Sequence, residues 1–430
     1  YDPPKQVTYQ DVTIAAEGDS NTIAEVSKTL NSVGSDDILD YLITQADRLN
    51  ASDIHLECQA NDIRVRFRIF GSLHPVADLD KDKYRVLIAA IASRANVSTA
   101  GTDPQTGHMQ QEVKRADGST RLLNMRVETI PTLYGQDAVV RLFNFDEALL
   151  DLQKLGMNDQ HRQAFEAVIQ RPHGMVMIVG PTGSGKSTTL YALIKALNNT
   201  SRKILTLEDP VEFSIPGISQ IPVDTNAGDS FAENLRAVMR LDPDVVMVGE
   251  IRDVDTAKTA LQASITGHLV LSTFHAESAA TAFSRMIDMI GKNPIFSTAI
   301  RMVVAQRLVR RLDDTTKIAY QPDEATKRYM ATILQDLPAS VPMPDLNTAN
   351  LYRPGTSPEA PFGYTGRVVI MEQMMVSPEI QAFLRGDIQN FDTRAIEQVA
   401  KAQGMITLEQ DGVLKALAGV TALEEIARVI

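Results

Sequence analysis

The sequence contains no tryptophan and a single cysteine, Cys58. One thiol can form neither an intrachain disulfide nor a thiolate zinc cage, which excludes a disulfide-stapled small fold and a cysteine-built metal site. Cys58 reads as a small buried apolar side chain, as suits a reducing compartment. Aromatic residues make up 5% of the chain, few for a carbohydrate- or single-strand-binding platform. No apolar run approaches the ~18 residues needed to cross a bilayer. Runs such as Met175–Val179 and Val245–Val248 have the size of core strands. Positive charge is also short: 42 Lys+Arg against 54 Asp+Glu give −12, which argues against whole-molecule attraction to nucleic acid or an anionic bilayer. The chain begins Tyr-Asp-Pro-Pro without a methionine, as expected of a fragment lacking an N-terminal region; a cleaved targeting signal would leave the same start, though nothing else points to one.

What is there suits a folded multidomain protein. The 430 residues, 44% hydrophobic and 22% charged, correspond to about three domains. Residues 1–35 are polar with scattered Pro and Gly and read as an arm or linker. Apolar residues recur at helical spacing from Ile38 to Leu49, and the alternation in Ile63–Ile69 predicts a strand with Val65 and Phe67 on one face and Arg64, Arg66 and Arg68 on the other. Further strands are expected near 121–127 and 137–143, giving an α+β domain over 36–145. After a linker at 146–157, the buried-type runs Met175–Val179, Ile204–Leu207, Val245–Val248 and Leu269–Ser272 alternate with amphipathic stretches, an α/β signature over 158–312. A segment rich in Pro, Asp, Thr and Ala follows, taken as an insertion at 313–370, before a helical portion at 371–430.

The strongest chemical signal is Gly180-Pro181-Thr182-Gly183-Ser184-Gly185-Lys186-Ser187-Thr188, which satisfies G-x-x-x-x-G-K-[ST] between a strand-like run and a helical one. Glycines let backbone N–H groups turn inward around phosphate oxygens, and the helix N-terminus adds partial positive charge. In such a loop Lys186 bridges the β- and γ-phosphates and Ser187 ligates Mg²⁺. Glu250 ends another strand-like run, where a carboxylate can hold Mg²⁺ directly or through water. The cluster Glu208-Asp-Pro-Val-Glu212 ends a third, where a carboxylate can orient or deprotonate an attacking water. His268 and His275 flank a fourth; taken singly, histidines there are more often structural than functional.

From about Asp36 to the C-terminus the sequence resembles the traffic ATPases of secretion and pilus assembly, the GspE/PilB-like hexameric motors. The marks are Ala51-Ser-Asp-Ile-His-Leu-Glu57, the Gly180–Thr188 loop, an aspartate box at Leu205–Glu212, a Walker B stretch at Asp242–Asp253 and a histidine box at Thr266–His275. The resemblance implies a RecA-like P-loop NTPase core with a smaller N-terminal α+β domain and a C-terminal helical portion. It implies that Glu212 acts as base for water, with Glu208 the rival, that Glu250 supports Mg²⁺, and that His268 and His275 sense or contact the phosphate end. In the matching stretch Asn124–Arg141, it assigns to Arg126 and Arg141 the arginines that a second domain supplies to the nucleotide.

Three departures accompany it. The family commonly carries paired Cys-x-x-Cys zinc motifs before a segment like Gly363–Arg367; this chain has none between 313 and 362, so no zinc is expected. Phe70 stands where an acidic residue is usual, and Pro104-Gln-Thr-Gly-His108 replaces a Pro-Gln-Asp-Gly-Arg pattern. The expected protein is a cytoplasmic Mg·ATP hydrolase working as a homo-hexamer, peripherally associated with the inner membrane. It would drive pilus or pseudopilus assembly through an inner-membrane platform protein, with an inner-membrane-associated adaptor as a further partner and without binding nucleic acid. A type IV secretion or DNA-uptake ATPase, and an ATP-binding scaffold with little hydrolysis, are the alternatives.

Overall fold

The computed structural model describes residues 20–34, 37–98, 103–114, 120–143, 150–357, 360 and 362–430. It divides into two compact units, the first comprising 1–145 with 356–363 and the second 146–355 with 364–430.

In the first unit, helices α1 (Ser20–Ser32), α2 (Ile38–Arg48) and α3 (Lys81–Ala95) accompany strands β1 (Ala51–Cys58), β2 (Ile63–Ile69), β3 (Ser72–Leu79), β4 (Gln105–Lys114), β5 (Thr120–Thr132) and β6 (Gly135–Leu142). The strands form one antiparallel sheet in the order β3-β2-β1-β6-β5-β4. Ile63, Val65, Phe67 and Ile69 of β2 are buried while the intervening arginines face outward, as period-2 patterning requires. Leu30, Leu42, Ile54, Phe67, Leu87 and Val127 belong to one apolar cluster. Each such burial contributes roughly 1.5–3 kcal/mol. The expected arm therefore contains a packed element. Val26, Leu30 and Val33, at i, i+4 and i+7, are buried, and α1 lies on β3; residues 1–19 are outside the described residues. Phe70 and Gly71 form the β2–β3 turn at φ 46 and φ 87. That backbone favours Asn or Asp before Gly, so phenylalanine is strained at this position.

In the second unit, α4 (Asp159–Ile169) precedes β7 (Gly174–Val179), α5 (Lys186–Leu197), β8 (Ile204–Glu208), β9 (Ser219–Pro222), α6 (Phe231–Val238), β10 (Val245–Val248), α7 (Val254–Ile265), β11 (Leu269–Phe274), α8 (Ala279–Ile290) and β12 (Ile300–Leu312). Then come β13 (Ile318–Tyr320), α9 (Glu324–Leu334), β14 (Leu351–Arg353), β15 (Tyr364–Met375), α10 (Pro378–Arg385), α11 (Thr393–Ala402), α12 (Leu408–Leu417) and α13 (Leu423–Val429). The main sheet runs β15-β12-β7-β11-β10-β8-β9, parallel except for β15. Every residue of β7, β8, β10 and β11 is buried, which is why these strands are almost unbroken apolar runs.

The boundaries after 312 differ from the expected ones. Residues 356–363 group with the first unit, where Phe362 stacks at 4.4 Å on His74. β15 crosses the expected 370/371 boundary as a single strand of the main sheet, because Val368–Met371 are buried against β12. β13 and β14 pair with one another, and Met330, Leu334, Leu351, Val413 and Ile426 form a local core. Of the expected linker, 146–149 lies outside the described residues, whereas Leu152 and Leu155 are buried and the Leu155 carbonyl accepts from Val369 N.

Candidate active site

Parallel strands deliver their carboxyl ends to one edge of the sheet, where the following loops converge. At that edge the loop from Gly180 joins β7 to α5. Gly180 has φ 154, and a Cβ there would stand 2.6 Å from Ser184 Oγ and 2.7 Å from the Gln306 carbonyl oxygen. Gly185, at φ 84, caps α5 in the left-handed region, where a side chain costs about 1–2 kcal/mol. Lys186 folds back, its ammonium donating to the carbonyls of Gly180 and Pro181 at 2.9 Å each. Burial lowers the Lys186 pKa, Glu250 opposes this and Arg307 adds to it. Ser184 Oγ is buried without a hydrogen-bond partner, while Thr182, Gly183 and Ser187 are exposed. The turned glycine backbone, the helix N-terminus and one lysine make a donor set that fits a polyphosphate.

Two strands away, β10 ends at Gly249-Glu250, whose Gly249 N–H donates to Leu207 O at 2.7 Å and whose Gly249 carbonyl accepts from Thr273 Oγ1 at 2.6 Å. Asp253 then caps α7 by accepting from Thr256 N at 2.8 Å. The Glu250 carboxylate pairs with Arg252 and lies 3.3 Å from His275 Nε2. Glu208 is buried and accepts from the Tyr191 hydroxyl, from Thr206 Oγ1 at 2.5 Å and from Gln220 Nε2 at 3.0 Å. The Glu212 side chain is exposed, and its main-chain N–H donates to Tyr191 Oη at 3.3 Å.

His268 is not at this edge. The loop leaves β7 after Val179, which pairs with Phe274, whereas His268 precedes Leu269, opposite Gly174. At ~3.3 Å per residue the two ends of the strand are about 16 Å apart. His268 Nδ1 instead lies 3.0 Å from the Ala263 carbonyl at the end of α7, a helix C-cap. The expectation that His268 meets the phosphate end is therefore corrected: the histidine box spans a whole strand, and only its last residue reaches the loop's edge.

The family model for "Type II/IV secretion system protein" matches residues 32–428. The chain is 36% identical over 421 residues to the type II secretion system protein E of Xanthomonas campestris pv. campestris, covering 96% of this chain and 71% of that protein. It is 37% identical to the type IV pilus assembly ATPase PilB of Thermus thermophilus over 388 residues, 90% of this chain and 42% of that one. The chain belongs to the type II/IV secretion system ATPase family. The solved Legionella pneumophila ATPase DotB shares the fold, with a TM-score of 0.67 over 93% of this chain and 96% of that one at 21% identity.

In this secretion ATPase, Arg126 and Arg141 lie in the first unit, directly opposite one another across β5 and β6. Side chains so paired share a face, and two like charges there repel. Arg141 Nε donates to Asp53 Oδ1 at 2.9 Å, and Arg126 pairs with Glu128 at 3.0 Å, which offsets the repulsion. Register continues the row through Asp53 on β1 to Arg68 on β2, 3.7 Å from Asp53. Asp53, in the Ala51–Glu57 stretch, thus anchors Arg141 and lies beside Arg68.

Several residues at the loop's edge were missed in the sequence. Tyr191 passes for an ordinary helical core position. Gln306 and Arg307 form a polar pair inside the apolar run of β12, the one signal that marked them. Arg307 donates to Glu277 O at 2.9 Å and Val429 O at 3.2 Å. Beside Gly180 and Pro181 a cavity of about 810 Å³ is lined also by His275, Arg307, Glu372 and Lys401. Glu372 accepts from Ala279 N at 2.9 Å, and burial pushes its carboxyl up to about 7.

Proposed function

We propose that this secretion ATPase is the ring-forming motor of a pilus or pseudopilus assembly machine, a homo-hexamer that hydrolyses Mg·ATP. The proteins it resembles are named for type II secretion and for type IV pilus assembly, which supports assembly as the work done. No helix among the described residues is long and apolar enough to cross a membrane. The proposed inner-membrane platform protein would be engaged from the cytoplasmic side, where ATP is supplied.

The observation that carries this reading is the convergence, at one sheet edge, of the glycine loop with Lys186 and of Glu250 with His275 at 3.3 Å. In the proposed mechanism the N–H groups of Gly183 to Thr188 bind the phosphates, and Lys186 exchanges its two carbonyl acceptors for β- and γ-oxygens. Ser187 and Glu250 would hold Mg²⁺, which when bound neutralises charge on the phosphate oxygens. His275 orients the Glu250 carboxylate and Glu212 orients the attacking water. Arg126 and Arg141 neutralise charge on the transferring phosphoryl, making turnover depend on the first unit.

The test measures ATP turnover against protein concentration, with particle mass alongside. Turnover per subunit should rise as a six-fold particle forms, and Lys186→Ala should abolish it. Unchanged phosphate release in that variant, or constant turnover from a single chain, refutes the reading.

A further inference from the structure

Gln306 is fully buried on β12, the strand next to β7, on the face it shares with the apolar side chains of Val304 and Leu308. A buried amide must place its donors and acceptor on definite partners or incur a desolvation penalty. Here the amide serves the loop. Nε2 donates to the Ser184 carbonyl at 2.7 Å, and Oε1 accepts from Thr189 Oγ1 at 2.9 Å. The main-chain carbonyl of Gln306 closes on Gly180, and its Nε2 lies 3.1 Å from where a Gly185 Cβ would stand. One residue therefore touches the start of the loop, its middle and the first turn of α5. The amide's orientation follows from chemistry: a carbonyl only accepts, so the NH₂ faces Ser184 and the oxygen is left for the Thr189 hydroxyl.

The consequence lies in the Ser184–Gly185 peptide. In a planar trans peptide, C=O and the next N–H point in opposite directions. Drawing the Ser184 oxygen toward Gln306 thus turns the Gly185 N–H away from β12. We propose that Gln306 is a positioning residue of the phosphate loop, setting the Ser184–Gly185 peptide so that its N–H faces a bound β-phosphate. This rests on the nucleotide reading of Gly180–Thr188.

The experiment uses the full chain and Gln306→Glu, which keeps the shape and an acceptor for Thr189 but sets an oxygen against the Ser184 carbonyl. ADP and AMP affinities are measured by competition against a fluorescent nucleotide, with melting of the nucleotide-free protein alongside. ADP affinity should fall about tenfold or more and AMP affinity should stay within about twofold, while the nucleotide-free protein melts lower because a buried donor is lost. A retained ADP-over-AMP preference, or equal loss of both ligands, overturns the proposal, since a merely structural role would not discriminate by phosphate number. Should that variant fail to fold, Thr189→Val removes one hydroxyl at the other end of the amide. It should lower the ADP-over-AMP preference about threefold, and an unchanged preference overturns the proposal. The underlying reading fails separately, by absence of any ADP preference in the wild-type chain or by undiminished ADP affinity in Lys186→Ala.

Discussion

The Tyr191 hydroxyl donates to the buried carboxylate of Glu208 and receives the main-chain N–H of Glu212 at 3.3 Å. This one contact separates the two carboxylates of the aspartate box. Glu208, held also by Thr206 and Gln220, acts as a strut that fixes the tyrosine, and the tyrosine fixes the turn presenting Glu212. Phe213 packs edge-on against the same ring at 4.5 Å. Glu212→Gln should therefore bind ATP normally and slow single-turnover hydrolysis by about 10²–10⁴-fold, the range for loss of a general base. Glu208→Gln should show its main effect in the melting temperature. If Glu208→Gln stops hydrolysis with stability intact while Glu212→Gln turns over normally, the roles are reversed.

The two histidines of the histidine box should behave differently. His275 touches Glu250 at 3.3 Å, so His275→Ala should lower kcat about tenfold through loss of a hydrogen bond to a charged group. His268 caps α7 from the far end of β11, so His268→Ala should leave kcat within about twofold and lower the melting point, the usual result of losing a cap. Equal kinetic losses in both variants would contradict the strand register.

Much of this was legible because local pattern and global environment agree. Met175–Val179 is apolar throughout because β7 is covered on both faces, and the glycine loop after it needs no distant residue to be recognised. Glu250 and the Glu208–Glu212 cluster could be placed at strand ends by the same logic, which left open the carboxylate that serves. What was illegible depended on the third dimension. His268 and His275 are close in sequence yet separated by the length of a strand. Tyr191 comes from a helix whose own pattern says only "buried", and the polar Gln306-Arg307 pair on β12 does not say what Gln306 bonds. α1 hid because Val26 and Leu30, with Val33 just beyond it, give a narrow stripe among mostly polar residues, which acquires meaning only beside β3. Asp53 could not be matched to Arg141 without knowing that β1 pairs with β6.

That pairing makes a prediction for the first unit. Arg126→Ala and Arg141→Ala should each reduce ATP turnover by about 10³-fold, as for other phosphoryl-stabilising arginines, with nucleotide affinity largely intact. Asp53→Ala removes the anchor of Arg141 and leaves two guanidinium groups opposed across β5 and β6, so it should lower turnover in the same direction and destabilise the unit. Normal rates in both arginine variants would refute their assignment to the nucleotide.

Glu372 supplies a prediction about pH. Its carboxyl sits among groups that act in opposite senses: Ala279 N, a backbone donor at Leu408 and Arg307 favour the anion, while burial and nearby Glu397 favour the acid. Burial dominates and raises the pKa from 4.5 to about 7. A carboxyl with a raised native pKa binds its proton more tightly in the folded chain than in the unfolded one. Its contribution to stability is then present below the unfolded value near 4.5 and is lost as pH rises through about 7, with a slope of at most about 1.4 kcal/mol per pH unit. Glu372→Gln stays neutral, and its oxygen can still accept from Ala279 N. Melting curves of the two proteins should run close together near pH 5 and diverge toward pH 8, with the glutamine variant the more stable. A gap that stays constant across that range, or that widens toward acid, would mean the buried carboxyl does not carry its proton into the neutral range.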